Sequence, residues 1–131
     1  EEFSGRIAYE RYTVPGIKDL PVAALKLIEE RGCDLVIALG MPGPKAYDKM
    51  SAQVASTMIG ECQLMTRKHV IEVFVHEDEG KNDRHLKEIM QDRARKHAYN
   101  AVYLLLDPNW LIQRAGQGIR QGHEDAGPVR A

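Results

Sequence analysis

What the sequence has little of narrows the reading first. Of its 131 residues only two, Cys33 and Cys62, are cysteine, and they have neither the close spacing of a metal knuckle nor that of a redox pair. A reducing, cytoplasmic setting is therefore expected. Basic charge is not in excess: 18 Lys plus Arg stand against 19 Asp plus Glu, a net charge of -1. No phosphate backbone or anionic lipid would be drawn to such a chain, so neither nucleic acid nor membrane is expected as a partner. The longest apolar runs, residues 101–106 and 35–39, fall far below the roughly 18 residues of a membrane-spanning helix. The opening Glu1-Glu2-Phe3-Ser4-Gly5 lacks the basic and apolar regions of a secretory leader. Walker and dinucleotide-binding fingerprints are missing, as is any metal motif of fixed spacing. A Ser or Cys nucleophile with a base cannot be assembled, because Ser51, Ser56 and Cys62 share one helical pattern and Cys33 precedes a strand. Acid–base chemistry is what remains.

What is there reads as one globular domain, 44% hydrophobic and 28% charged, of a size that supports a single core. Ile7-Ala8-Tyr9 and Arg11-Tyr12-Thr13-Val14 predict a strand within residues 6–14, stopped by Pro15-Gly16. Asp19 then stands as an N-cap ahead of Pro21, and Val22, Leu25 and Ile28 repeat at helical spacing until Gly32. Residues 34–39 form an apolar run of the kind a parallel strand covered on both faces requires. From residue 45 to 66, Tyr47, Met50, Val54, Met58, Cys62 and Met65 step by three or four, which predicts a long amphipathic helix packed through these residues. Residues 70–75 are β-branched and predict the next strand. Leu86, Ile89, Met90, Ala94, His97, Ala101 and Leu105 keep one helical register, so the helix should run on through residues 99–106. Asp107-Pro108 restarts a helix carrying Trp110, Leu111 and Arg114. Alternating strands and helices define an α/β, three-layer α/β/α sandwich with a parallel sheet.

In such sheets ligands bind beyond the carboxyl ends of the strands. The loops leaving those ends, residues 14–19, 40–45 and 76–80, should converge, and they hold two cations, at least four carboxylates and one imidazole. Each member also has a plainer role: Asp19 as a cap, Lys18 and Lys45 as solvated charges, His76 as a surface group at a strand end. Glu77, Asp78 and Glu79 are capable of holding Mg²⁺ loosely through water.

At these residues the chain resembles a known family. Thr13-Val14-Pro15-Gly16-Ile17-Lys18-Asp19-Leu20-Pro21-Val22-Ala23, Ala38-Leu39-Gly40-Met41-Pro42-Gly43, Gln63-Leu64-Met65-Thr66, Glu72-Val73-Phe74-Val75-His76-Glu77-Asp78-Glu79, and Gly118-Ile119-Arg120-Gln121-Gly122 with Glu124-Asp125-Ala126-Gly127-Pro128 closely resemble archaeal-type riboflavin synthases. These are related to 6,7-dimethyl-8-ribityllumazine synthases. The resemblance implies a lumazine-synthase-like fold and a dismutation in which one 6,7-dimethyl-8-ribityllumazine gives a four-carbon unit to another. The products would be riboflavin and 5-amino-6-ribitylamino-2,4-pyrimidinedione. It implies no organic cofactor, since the lumazine C7 methyl is itself acidic and the protein mainly aligns two substrates and moves protons.

Carried over by position, Pro15, Gly16, Ile17, Lys18 and Asp19 would hold the ribityl chain and one pteridine edge, and Met41, Pro42 and Gly43 would wall the ring. Val73, Phe74, Val75, His76, Glu77 and Asp78, supplied by a neighbouring subunit, would complete the pocket. His76 would transfer the proton with Glu77 orienting it, and Asp48 and Lys49 would be second candidates. The resemblance further implies a homo-oligomer, a pentamer or a multiple of it, with the long helix and the Phe74 strand end as contact surfaces. Trp110, Tyr99 and Tyr103 would either extend these surfaces or pack in the core.

Two departures stand out. Lumazine synthases place a catalytic His in the first turn of the helix that here begins Lys45-Ala46-Tyr47-Asp48-Lys49, which has none. Family members also begin with a further strand and helix; that strand would lie inside the sheet, where its loss exposes unpaired edges, so the natural protein is expected to carry the unit. The rival within the fold, a lumazine synthase, needs a phosphate site, for which Arg84, Lys45 and Arg67 are available without an anion nest. A rival of another class is a non-catalytic flavin- or pterin-binding assembly protein.

Overall fold

A computed structural model describes residues 2–130. Its elements are a short 3₁₀ turn (Ile17–Asp19), α1 (Leu20–Glu29), β1 (Val36–Gly40), α2 (Ala46–Thr66), β2 (Val70–Phe74), a second 3₁₀ turn (Glu77–Glu79), α3 (Asp83–Leu106) and α4 (Pro108–Arg114). β1 and β2 pair in parallel, in register from Val36 opposite Val70 to Gly40 opposite Phe74. Packed on one face of this ribbon, α1 lies against β1 and α2 against both α1 and β2; α3 packs on β2 and carries α4. Helices packed on a parallel two-stranded sheet are consistent with the expected lumazine-synthase-like α/β fold. The apolar run at residues 101–106 is helical, as its register with His97 and Ala101 requires.

The core lies between α1, α2 and the sheet, with Ala24, Leu27, Ile28, Val36, Ala38, Ile59, Cys62 and Val70 at its centre. The face of α2 that enters it differs from the expected stripe. Ala52, Ala55, Ile59 and Cys62 are buried, while Tyr47, Met50, Val54, Met58 and Met65 are exposed, Met50 by 70%. Small side chains let the backbones of α1 and α2 approach closely, and the Cys62 thiol donates to the Pro21 carbonyl across the contact, 3.3 Å away. The bulky stripe turns outward. One face of β1 is likewise more open than expected, with Ile37 and Leu39 exposed.

Residues 7–14 correct a second expectation, for they form no strand and have no ladder partner among the described residues. Glu10 pairs with Arg31 at 3.3 Å and the Tyr12 hydroxyl accepts from Lys26, so the segment lies along α1. A cavity of about 590 Å³, lined by residues 7–10, Val36 and Ile37, opens between it and β1. Without neighbouring N–H and C=O groups, β-prone residues do not become a strand.

The aromatic residues Tyr99, Tyr103 and Trp110 form a half-buried stack of their own outside the core. Tyr103 stacks on Trp110 with centroids 4.0 Å apart, Arg114 covers the other ring face at 3.9 Å, and Phe3 meets Tyr99 and Tyr103 edge-on. This stack joins α4 to α3.

Candidate active site

The carboxyl ends of β1 and β2 lie side by side. Val75 N–H donates to the Gly40 carbonyl (3.0 Å) and Glu77 N–H to that of Pro42 (2.9 Å), so the loops after the two strands run together. A Cβ on Gly40 would lie 3.0 Å from the Phe74 ring, which needs glycine's bareness to sit against β1. Leu20, next after the first 3₁₀ turn, approaches the same position within 3.8 Å.

Asp19 and Asp48 do local work first. Asp19 caps the 3₁₀ turn and not α1: its carboxylate accepts the Gly16 N–H at 3.1 Å, and no side-chain cap bond reaches α1. Asp48 accepts the Lys45 N–H at 3.1 Å and closes the first turn of α2. A Cβ on Gly43 would collide with that carboxylate, which explains the glycine. Lys49 reaches out of α2 to Asp78, 2.7 Å away, and tethers the loop after β2. This hydrogen bond from the ammonium holds the Asp78 carboxyl below the usual range.

β2 presents Glu72, Phe74 and His76 alternately along one side, with Val73 and Val75 buried on the other. Beside them is an open cavity of about 550 Å³ between α2, β2, α3 and the segment after α4. Lys49, Phe74 and His76 line it. Pro15, Gly16, Ile17, Lys18, Asp19, Met41, Pro42, Gly43, Asp48, Glu77 and Asp78 do not. Within one protomer the expected site residues therefore divide into the cavity group and those outside it, on the loops before α1, after β1 and after β2 and at the start of α2.

The cavity also brings in residues that sequence reasoning passed over: Ser56, Glu72, Arg93, His97, Gln121 and His123. Glu72 accepts the Ser56 hydroxyl. Arg93 is 8% exposed, and its guanidinium donates to both carboxylate oxygens of Glu79 (2.9 and 2.8 Å), to the Phe74 carbonyl (2.8 Å) and to the Gln121 carbonyl (3.2 Å). His123 Nε2 lies 3.1 Å from it. Burial opposes ionisation of Glu79, yet the bonds from Arg93 and from the His76 N–H hold its carboxyl below the ordinary value. His97 is pushed the other way from charge, its imidazole pKa lowered by burial and by the Arg93 cation. His76 Nδ1 is buried and has no hydrogen-bond partner among the described residues.

A signal for these residues did exist. Glu72 and His76 stand at period two with Phe74, and Arg93 falls between Ile89 and His97 at helical spacing, a charge set into a buried stripe.

Two of the three carboxylates considered for Mg²⁺ have cationic partners. Asp78 is taken by Lys49 and Glu79 by Arg93, and no group of three or more His, Cys, Asp or Glu suited to a metal occurs among the described residues. Nor does any helix among them have the length and apolarity to cross a membrane.

A parallel α/β domain with imidazoles and carboxylates gathered at the carboxyl end of its strands is a scaffold for proton-transfer chemistry on a small molecule. Comparison with known proteins makes this specific. The profile of the 6,7-dimethyl-8-ribityllumazine synthase family matches residues 3–107, and the chain belongs to this family. It is 56% identical to a riboflavin synthase of Methanothermobacter thermautotrophicus over 91% of this chain and 78% of the relative. Similar relatives are riboflavin synthases of Archaeoglobus fulgidus, 53% identical over 94% of this chain and 80% of the relative, and Aeropyrum pernix, 47% over 92% and 77%.

Proposed function

We propose that this protein is a riboflavin synthase, catalysing dismutation of two 6,7-dimethyl-8-ribityllumazine molecules to riboflavin and 5-amino-6-ribitylamino-2,4-pyrimidinedione. The observation that carries the reading is the identity of 47 to 56% to riboflavin synthases over nine-tenths of the chain. The cavity supports it. Its groups are acids and bases, and it is lined by the His76 imidazole beside the Phe74 ring, which suits proton transfer with a flat heteroaromatic substrate. The loops at residues 15–19 and 41–43 hold the ribityl chain and pteridine edge in this reading, and no metal is called for.

A lumazine synthase must bind a phosphorylated four-carbon substrate. Both cations lining the cavity, Lys49 and Arg93, already have carboxylate partners, and Arg84, exposed on α3, pairs with Glu88 at 3.4 Å. Lys45 rests over the Tyr47 ring. Among the described residues, each Lys or Arg lining this cavity is thus paired with a carboxylate.

Because the loops at residues 15–19 and 41–43 lie outside the cavity of their own protomer, a complete site joins them to the cavity of a neighbour. The exposed stripe Tyr47, Met50, Val54 and Met58 supports association through α2, and a pentamer is the proposed assembly. The test is incubation with 6,7-dimethyl-8-ribityllumazine alone, followed by absorbance. Riboflavin appearing at half the rate of lumazine loss is expected. Binding without turnover would overturn the assignment.

A further inference from the structure

The segment from Phe74 to Glu79 carries the candidate proton-transfer residue at its middle, and one side chain from another element holds both of its ends. Arg93, near the middle of α3, donates to the Phe74 carbonyl on the side of β2 away from β1 and, through two nitrogens, to the carboxylate of Glu79. Glu79 in turn accepts the backbone N–H of His76 at 2.7 Å. A planar guanidinium with a fixed fork suits this double grip, whereas an ammonium would hold one end at a time. The clamp is further braced. Asp92 accepts the Gly122 N–H at 2.9 Å and the Gln121 carbonyl accepts from Arg93 Nε, so the segment after α4 lies over the guanidinium. Gly122 has φ +77°, and a Cβ there would run into Arg93.

This is more order than a surface turn needs. His76 is attached through its backbone, while its Nδ1 is buried and makes no hydrogen bond among the described residues. A buried, unpartnered nitrogen is unfavourable unless something else accounts for it, and a clamp that prevents the ring from swinging out to water maintains that state.

We infer that Glu79 and Arg93 are positioning residues that act through His76, setting from the cavity wall the direction of its imidazole toward the substrate. The inference rests on the reading of His76 as the proton-transfer residue. The charged and titratable groups that share the cavity with His76 are Lys49 from α2, Glu72 from β2, Glu79 from the second 3₁₀ turn, Arg93 and His97 from α3, and His123 from the final segment, and Asp78, paired with Lys49, acts on it from its own loop.

A kinetic cycle tests it. Glu79→Ala is expected to lower kcat by about 10- to 100-fold with KM changed less than about twofold. In a His76→Ala background the same substitution should have almost no further effect, because there is no imidazole left to direct. An equal loss in both backgrounds would mean a general structural role and would overturn the inference alone. Full turnover in His76→Ala would overturn the reading of His76 and the inference with it. For a background too slow to assay, ¹⁵N NMR of the His76 ring decides. Glu79→Gln, which keeps an acceptor for the His76 N–H but loses the ion pair, should change the tautomer ratio, and an unchanged ring spectrum would refute the clamp.

Discussion

Replacing Arg93 by Met is the sharpest test of how this site is held together. The side chain keeps its length and loses its charge, leaving the Phe74 carbonyl and the Glu79 carboxylate without their donor. Removing one partner of a fully buried ion pair destabilises by about 3–5 kcal/mol. Here the Glu79 side chain is 24% exposed, so water re-solvates part of it, and about 3 kcal/mol is the expected loss. For a chain of this size that lowers Tm by about 10 °C. The assay is urea unfolding at fixed protomer concentration, since association also contributes to apparent stability.

The pH dependence follows from Glu79, whose folded-state pKa lies below its ordinary 4.5. The stabilisation from its pairing is complete above the unfolded-state value and disappears as pH falls through the lower folded value. Arg93→Met and the parent protein should therefore converge in acid. Adding Glu79→Gln to Arg93→Met should recover part of the loss at neutral pH, because it removes the stranded charge. A single variant within 1 kcal/mol of the parent, or a double variant less stable than the single, would refute the reasoning.

His76→Ala should reduce kcat by about 10²- to 10⁴-fold with lumazine binding retained, read from riboflavin absorbance and from ligand titration. Gly43→Ala and Asp48→Ala should each cost about 1 kcal/mol in unfolding experiments, and together scarcely more, since both remove the same cap of α2. At neutral pH Cys62, 3% exposed, should react with a thiol reagent far more slowly than Cys33; burial pushes both thiols up, but only Cys62 is enclosed. EDTA should leave turnover unchanged, because Asp78 and Glu79 are held by Lys49 and Arg93 and not free for a cation.

The sequence by itself determined the local elements and the family. Periodicity located α1, α2, α3 and β2 closely, because helix and strand repeats are written in consecutive residues. The blocks around Gly16, Gly40 and His76 carried the resemblance, since close backbone approaches leave glycine and proline where nothing else fits. Three matters were decided only by tertiary structure. Which face of α2 is buried depended on its neighbours: Ile59 and Cys62 join α1 in the core, Ala52 lines the cavity beside β2, and the bulkier Met50 and Met58 are left outside. Whether residues 7–14 became a strand depended on a neighbour, as every ladder bond needs a second chain segment. The Arg93–Glu79 clamp joins residues 14 positions apart, and its further contacts to Gln121 and His123 span 28 and 30. No local pattern announces such pairs; the packing of α3 on β2 brings them together and, by excluding water, strengthens their attraction.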